Sequence, residues 1–341
     1  MIRVGIVGYG YWGPNVFRNF NGLENAEVVA VCDRRPAVLQ KVGRSNPSVR
    51  LCNEPQQILQ ATDIDVVAVV TPVSTHYELA REALENGKHV FVEKPLTATS
   101  RQAEELVELA DRKHLQIMVD HTFIFTGAVQ RIKDMVDNGV LGKIYYYDST
   151  RVNLGLFQHD INVIWDLAPH DFSIMNYLLE EQPIAVSASG VSHVNGLEDV
   201  AYVSVHFASS LIAHFNLNWL SPVKVRNTLI GGERRMIVWN DLAPDEKVRV
   251  YDKGIDVTSR QGVYELLVSY RSGDMWAPRI EQTEALAAEC AHFLSCIEQD
   301  RPGLNTGYQG LQVVRLLEAC SLSLRNNGET VELAQSALNP A

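Results

Sequence analysis

Ile2-Arg3-Val4-Gly5-Ile6-Val7-Gly8-Tyr9-Gly10-Tyr11-Trp12-Gly13 begins one residue into the chain. Its first half is short, apolar and rich in β-branched residues, which reads as a buried strand. Its second half is a G-x-G-x-x-G, and Pro14 behind it suits a first helical turn. A second strand-like run, residues 27–32, ends at Asp33, twenty positions after Gly13. A strand before the glycines, a helix behind them and an acid at that distance make a dinucleotide-binding fingerprint rather than a bare glycine turn. Gly8 permits the tight turn, Gly10 lets the backbone approach a pyrophosphate, and Gly13 lets helix and strand pack closely. The helix N-terminus offers free N–H groups to the anion. Tyr9, Tyr11 and Trp12 belong to the same turn. Asp33 can accept from both ribose hydroxyls and repels a 2′-phosphate, which favours NAD. Arg34 and Arg35 beside it could receive that phosphate, so NADP is the lesser alternative.

The alternation continues. Residues 58–61 close a helix, and 66–70 form a buried strand ended by Thr71-Pro72. Residues 77–86 form an amphipathic helix stopped at Gly87, and 89–92 a strand running into Glu93-Lys94-Pro95. A helix over 100–113 and a strand over 115–119 complete the series. Strands alternating with helices predict a doubly wound parallel sheet, whose ligands gather at the carboxyl ends of the strands. The glycine turn, Asp33, Thr71-Pro72, Glu93-Lys94-Pro95 and Asp120-His121 stand at such ends and are expected to border one crevice.

After His121 the pattern changes. Residues 127–138 read as one amphipathic helix and 143–151 as a long strand. A polar loop, 153–162, contains Gln158-His159-Asp160. Pro169 suits a first helical turn, which puts His170 near the start of an apolar helix running to 179, with Asp166 just before it. Strands over 184–192, 200–207, 211–220, 225–230, 236–239 and 247–251, with Ser209-Ser210 as a hairpin turn, predict an antiparallel sheet. Helices over 170–180 and 281–299 are expected to cover one of its faces. Residues 254–278 have no clear period and read as irregular, and 307–325 as a last helix. The fold class is therefore α/β: a Rossmann domain over 1–121, then an α/β domain over 122–341 with an open, mostly antiparallel sheet for substrate binding and oligomerisation.

Composition sets outer bounds. With 341 residues, about two domains are expected. An apolar share of 46% and a charged share of 21% exclude wholesale disorder. Acidic residues outnumber basic ones 41 to 30, a formal charge of −11, which argues against a nucleic-acid or anionic-membrane partner. The cysteines, Cys32, Cys52, Cys290, Cys296 and Cys320, are odd in number and never in a C-x-x-C pair. That argues for a reducing, cytoplasmic setting and against a metal site. No run is long and apolar enough to span a membrane, and no signal peptide is expected.

Three side chains carry candidate chemistry. Lys94, at a strand end in the crevice, could contact a substrate hydroxyl and the nicotinamide ribose, and its charge would favour a developing alkoxide. His170 is a proton acceptor suited to neutral pH, and Asp166, four residues earlier, can hold and polarise it. Arg151, Asn153, His159 and Trp219 are candidates for substrate contact.

On the residues GYGYWG at 8–13, Asp33, Thr71-Pro72 followed by His76, Glu93-Lys94-Pro95 and Asp166-x-x-x-His170, the chain resembles the Gfo/Idh/MocA family of oxidoreductases. The likeness covers nearly the whole length, including NGVLGK at 138–143. It implies a catalytic lysine at Lys94, an aspartate at Asp166 and a histidine at His170 that accepts or donates the proton; with the glycine turn, Asp33 and Arg34, the residues expected to contact the cofactor are Thr71, Pro72, His76, Glu93, Lys94 and His121. It also implies an open sheet often used for oligomerisation, so a homodimer or homotetramer is expected. Many members carry an N-x-R-like segment after the sixth strand, where this chain has Asp120-His121-Thr122-Phe123. The implied activity is NAD(P)-dependent oxidation of a secondary alcohol on a sugar, inositol or nucleotide-linked sugar. The alternatives are an NAD-recycling lyase or hydrolase with transient oxidation, and a non-catalytic NAD or sugar sensor.

Overall fold

In the computed structural model, residues 1–155, 157–257 and 268–333 are described. They divide into two units, Met1–Phe125 with Thr283–Glu318, and Thr126–Gln282 with residues 319–333. In the first unit the strands are β1 (Ile2–Val7), β2 (Ala26–Cys32), β3 (Arg50–Cys52), β4 (Val66–Val69), β5 (His89–Glu93) and β6 (Ile117–Asp120). They pair in parallel in the order β3-β2-β1-β4-β5-β6, a doubly wound sheet as the alternation predicted. The short β3 was not picked out from sequence, because three residues carry no period. The helices between are α1 (Gly13–Asn21), α2 (Pro36–Ser45), α3 (Gln56–Leu59), α4 (His76–Glu85) and α5 (Ser100–Lys113). Their ends follow local rules: Thr99 caps α5 by accepting from Gln102 N, and Gly87 at φ +75° follows the end of α4.

The second unit holds β7 (Ile144–Leu154), β8 (Pro183–Val191), β9 (Val200–Phe207), β10 (Ile212–Asn218), β11 (Leu220–Gly232), β12 (Met236–Asn240), β13 (Val248–Val257), β14 (Val268–Trp276) and β15 (Val331–Glu332). The order is β14-β13-β12-β11-β7-β10-β9-β8-β15, and among the described pairs β7–β10 is the one parallel pairing. The irregular reading of 254–278 is corrected: β13 runs on to Val257 and pairs antiparallel with β14, while 258–267 lie outside the described residues. The described side chains of β14 are largely exposed, Tyr270 at 83% and Met275 at 50%, so no buried face stamped an alternation on the sequence. Helices α6 (Gly127–Asp137) and α7 (Val163–Leu178) belong to this unit, and Phe172 of α7 meets Phe215 of β10 edge-on at 5.0 Å.

Two expectations about helices fail here. Helix α7 begins at Val163, not at Pro169: Asn162 caps it by accepting from Trp165 N at 3.1 Å, and Pro169 lies inside. The cap outweighs the cost of an interior proline in deciding where the helix starts. The helix over 285–299 does not cover the second sheet either. It is α8 (Ala285–Gln299), and it packs in the first unit, as does α9 (Gly307–Arg325) up to Glu318. Leu286, Cys290, Phe293 and Leu294 of α8 join the core of the parallel sheet, with Phe293 5.9 Å from Phe91, itself 5.4 Å from Phe20 of α1. Glu284 accepts from both Arg18 and Asn19 of α1. The expected boundary after His121 therefore assigns 283–318 to the wrong unit: an amphipathic helix states that it has a buried face, not which sheet that face meets.

Candidate functional site

The glycine turn fits a nucleotide on the geometry of its own backbone. Gly8 has φ +96°, and a Cβ there would lie 2.3 Å from Val70 O, so only glycine suits the position. A Cβ on Gly13 would lie 2.9 Å from Gly8 O. At Gly10 a Cβ would meet nothing within 4 Å, which leaves open space for a pyrophosphate above the N-terminus of α1. A cavity of about 640 Å³ adjoins the turn, lined among others by Gly10, Asp33, Arg35, Thr71, Pro72 and Leu79. Tyr11 is 92% exposed.

Asp33 is buried at this cavity, and its own chain already occupies it. Oδ1 accepts from Arg35 N and Arg35 Nε, both at 2.9 Å; Oδ2 accepts from Tyr9 N at 2.9 Å and an Arg35 terminal nitrogen at 2.8 Å. The Arg35 guanidinium on it holds the carboxyl down at about 2. A carboxylate has about four lone-pair sites, so ribose hydroxyls reach Asp33 only as the Arg35 side chain, 59% exposed, swings off. Exposed ion pairs are weak, and losing this one is expected to tighten binding by at most about fivefold. Arg35→Ala should accordingly bind NADH tighter and NADPH weaker, in fluorescence titrations of the two. Equal or opposite shifts would show that Arg35 does not compete for Asp33. Arg34 is exposed and has no part in this clasp.

At the neighbouring strand ends, Thr71 stands partly exposed beside Thr75, whose Oγ1 donates to Thr71 Oγ1 at 2.7 Å. His76 does not face a nucleotide, contrary to expectation. It is 1% exposed, and its ring nitrogens lie 2.9 Å from Pro95 O and 2.7 Å from Thr71 O. It ties the two strand-end loops together, and burial pushes its pKa down. Glu93 and Lys94 are partly exposed at the end of β5. Lys94 lies close enough to act on Asp120 and His121 at the end of β6. Both nitrogens of His121 are buried without a hydrogen-bond partner, and burial first, then Lys94, pushes the imidazole down to about 3. It is a neutral imidazole with unfilled hydrogen-bonding capacity.

In the second unit, Asp166 and His170 stand one turn apart on α7, both partly exposed. Trp219 donates from Nε1 to Asp166 Oδ2 at 3.2 Å. Trp219 is itself 1% exposed, so it holds Asp166 rather than touching a substrate, which corrects its expected role. The loop before α7 packs over it: Phe157 lies 5.5 Å from its ring, and Gly155 N donates to Trp219 O. Asn153 is partly exposed and His159 exposed in that segment. Arg151 is also corrected: it is 5% exposed and donates to Asp171 at 2.7 and 3.2 Å, a core ion pair.

Sequence reasoning missed Glu289 and Asn305, which pack against the end of β6. A signal existed, since Glu289 sits three residues after Leu286 and four before Phe293, on the apolar face of its helix. Among the described residues no group of three or more histidines, cysteines or acids is placed to hold a metal ion.

The chain matches known proteins over both units. Residues 2–121 match the family model described as "Oxidoreductase family, NAD-binding Rossmann fold", and 129–238 match that described as "GFO/IDH/MocA C-terminal domain". The chain is 25% identical over 322 residues to the UDP-N-acetylglucosamine 3-dehydrogenase of Acidithiobacillus ferrooxidans, covering 92% of this chain and 94% of that protein. It is 24% identical to the scyllo-inositol 2-dehydrogenase (NAD(+)) of Bacillus subtilis, covering 97% and 96%. A solved structure of the Acidithiobacillus enzyme superposes with a TM-score of 0.79 at 23% identity, covering 96% of this chain and 98% of that one.

Proposed function

The chain belongs to the Gfo/Idh/MocA family of oxidoreductases, an NAD-dependent dehydrogenase acting on CH–OH groups, and from that premise we propose that its substrate is a secondary alcohol of a sugar, an inositol or a nucleotide-linked sugar. The observation that carries this reading is the pairing of Asp166 and His170 on one turn of α7, with Trp219 fixing the carboxylate. Bound NAD supplies a hydride acceptor at its nicotinamide ring. His170 takes the hydroxyl proton and passes it to solvent. Asp166, one turn earlier on the helix, orients the imidazole. Lys94 offers its ammonium to the oxygen as negative charge develops there. Gly8, Gly10, Gly13 and Thr71 hold the cofactor's phosphates and ribose, with Asp33 after release of Arg35. Asn153 and His159 are the side chains offered to the substrate. All five cysteines are free and buried, which supports a reducing, cytoplasmic setting. Tyr145, Tyr202 and Ile212, exposed on the second unit's sheet, support a homodimer or homotetramer.

The test is absorbance at 340 nm with NAD and a panel of inositols, aldoses, glucosides and UDP-sugars. One class is expected to yield NADH at a rate at least about a hundredfold over the others, the discrimination a hydrogen-bonded hydroxyl site provides. No net NADH from any, with tightly held NADH in the purified protein, would replace oxidation with internal recycling.

A further inference from the structure

The strongest unassigned cluster lies in the first unit, where the glycine turn meets the end of β6. Asp120 is 2% exposed, and its Oδ2 accepts from Trp12 Nε1, the residue that precedes α1, at 2.7 Å. Its other oxygen accepts from Thr122 Oγ1. Behind it stands Glu289 of α8, 0% exposed, whose Oε1 accepts from Asn305 Nδ2 at 2.6 Å. Asn305 also donates to Val119 O at 2.5 Å and accepts from Val119 N at 3.0 Å, so it is stitched to β6 itself. Two buried carboxyls in contact cannot both be charged. Burial pushes both carboxyls up, Glu289 well up with Asp120 beside it, and Glu289 Oε2 is buried with no hydrogen-bond donor on it. Asp120 already accepts at both oxygens whereas Oε2 of Glu289 has no donor on it, so the proton held by the pair is placed on Glu289, which can donate it toward Asp120.

We propose that Glu289 and Asn305, brought back to the parallel sheet by the segment 283–318, are positioning residues for cofactor binding: they fix the Asp120 carboxylate, which holds Trp12 and so the glycine turn at the N-terminus of α1. The chain Asn305–Glu289–Asp120–Trp12 links a helix far along the sequence to the N–H groups that receive the pyrophosphate. Its function requires that Glu289 donate, not that it be charged. A glutamine there keeps a donor, whereas an alanine leaves Asp120 without its partner and free to turn from Trp12.

The test compares Glu289→Gln, Glu289→Ala and Trp12→Phe in the full chain by calorimetric titration with ADP-ribose and, as a probe without the pyrophosphate, adenosine. A hydrogen bond to a charged group is worth about a tenfold change in affinity or more. Glu289→Ala and Trp12→Phe are expected to weaken ADP-ribose by about tenfold or more while adenosine changes less than about twofold. Glu289→Gln should bind both ligands as the unsubstituted protein does. ADP-ribose affinity unchanged in Glu289→Ala would overturn the proposal. So would an equal loss for both ligands with a lowered melting temperature, since that is what a merely structural acid would give. No sugar substrate enters the measurement, so a wrong substrate class leaves this outcome untouched.

Discussion

Lys94→Ala is expected to lower turnover by about 10²–10³-fold and to leave NADH affinity within a few-fold. The side chain follows the end of β5, and the hydrogen bonds that hold Asp33 come from Tyr9 and Arg35 rather than from it. Its charge acts instead on an oxygen that gains negative charge only as hydride leaves, and such a contact appears in turnover more than in binding. His170→Ala is expected to lose turnover comparably, with a different pH signature. With the imidazole gone, solvent must take the hydroxyl proton, and the residual rate should climb with pH, as hydroxide becomes available. Lys94→Ala keeps the base and should retain the shape of the original profile. Stopped-flow hydride transfer across pH 6–9, beside fluorescence titration with NADH, separates the two roles. Near-normal turnover in His170→Ala would remove it as the base. Loss of NADH binding in Lys94→Ala would make the lysine a cofactor ligand.

What could be read in advance follows a physical division. The turn at 8–13, Asp33 and the strand ends are local: a glycine at positive φ, an acid twenty residues on and apolar runs of strand length lie within a few turns of one another. Chain-distant partners are not written that way. The clasp of Arg35 on Asp33 needed the conformation of the β2–α2 link. The brace at His76 needed two loops brought together, and its sequence neighbours hold no hint that Pro95 O waits for it. Pro169 pointed to a helix start because proline favours a first turn, yet Asn162 starts the helix earlier by accepting from Trp165 N. Arg151 looked available because an arginine on a polar strand usually is. Asp171, across the packing between α7 and β7, makes it a core residue. The return of 283–318 to the first unit is the same case at larger scale, since its apolar face fits either sheet.

Asp171→Asn is expected to destabilise the protein by about 3–5 kcal/mol, a large share of the roughly 5–15 kcal/mol that holds a typical domain folded. Asp171 is 2% exposed and accepts from Arg151 at both oxygens and from Ser149 Oγ at 3.0 Å. Arg151 faces a second arginine directly across the antiparallel pair, Arg226 of β11, which reaches Asp241 at 3.4 Å. Burial first, then Arg151, push the Arg226 guanidinium below its usual range. An asparagine at 171 would thus leave two close cations in a poorly hydrated place with one carboxylate fewer, which costs more than the pair itself contributed. Replacing both partners by apolar side chains, Arg151→Met with Asp171→Leu, removes the stranded charge and should recover most of the loss. Urea denaturation of the single and double variants measures it. A single variant within about 1 kcal/mol of the parent would mean that solvent reaches Arg151 freely. Because Asp171 follows His170 on α7, the single variant should also lose turnover below its melting point, while its NADH affinity, set in the other unit, stays put.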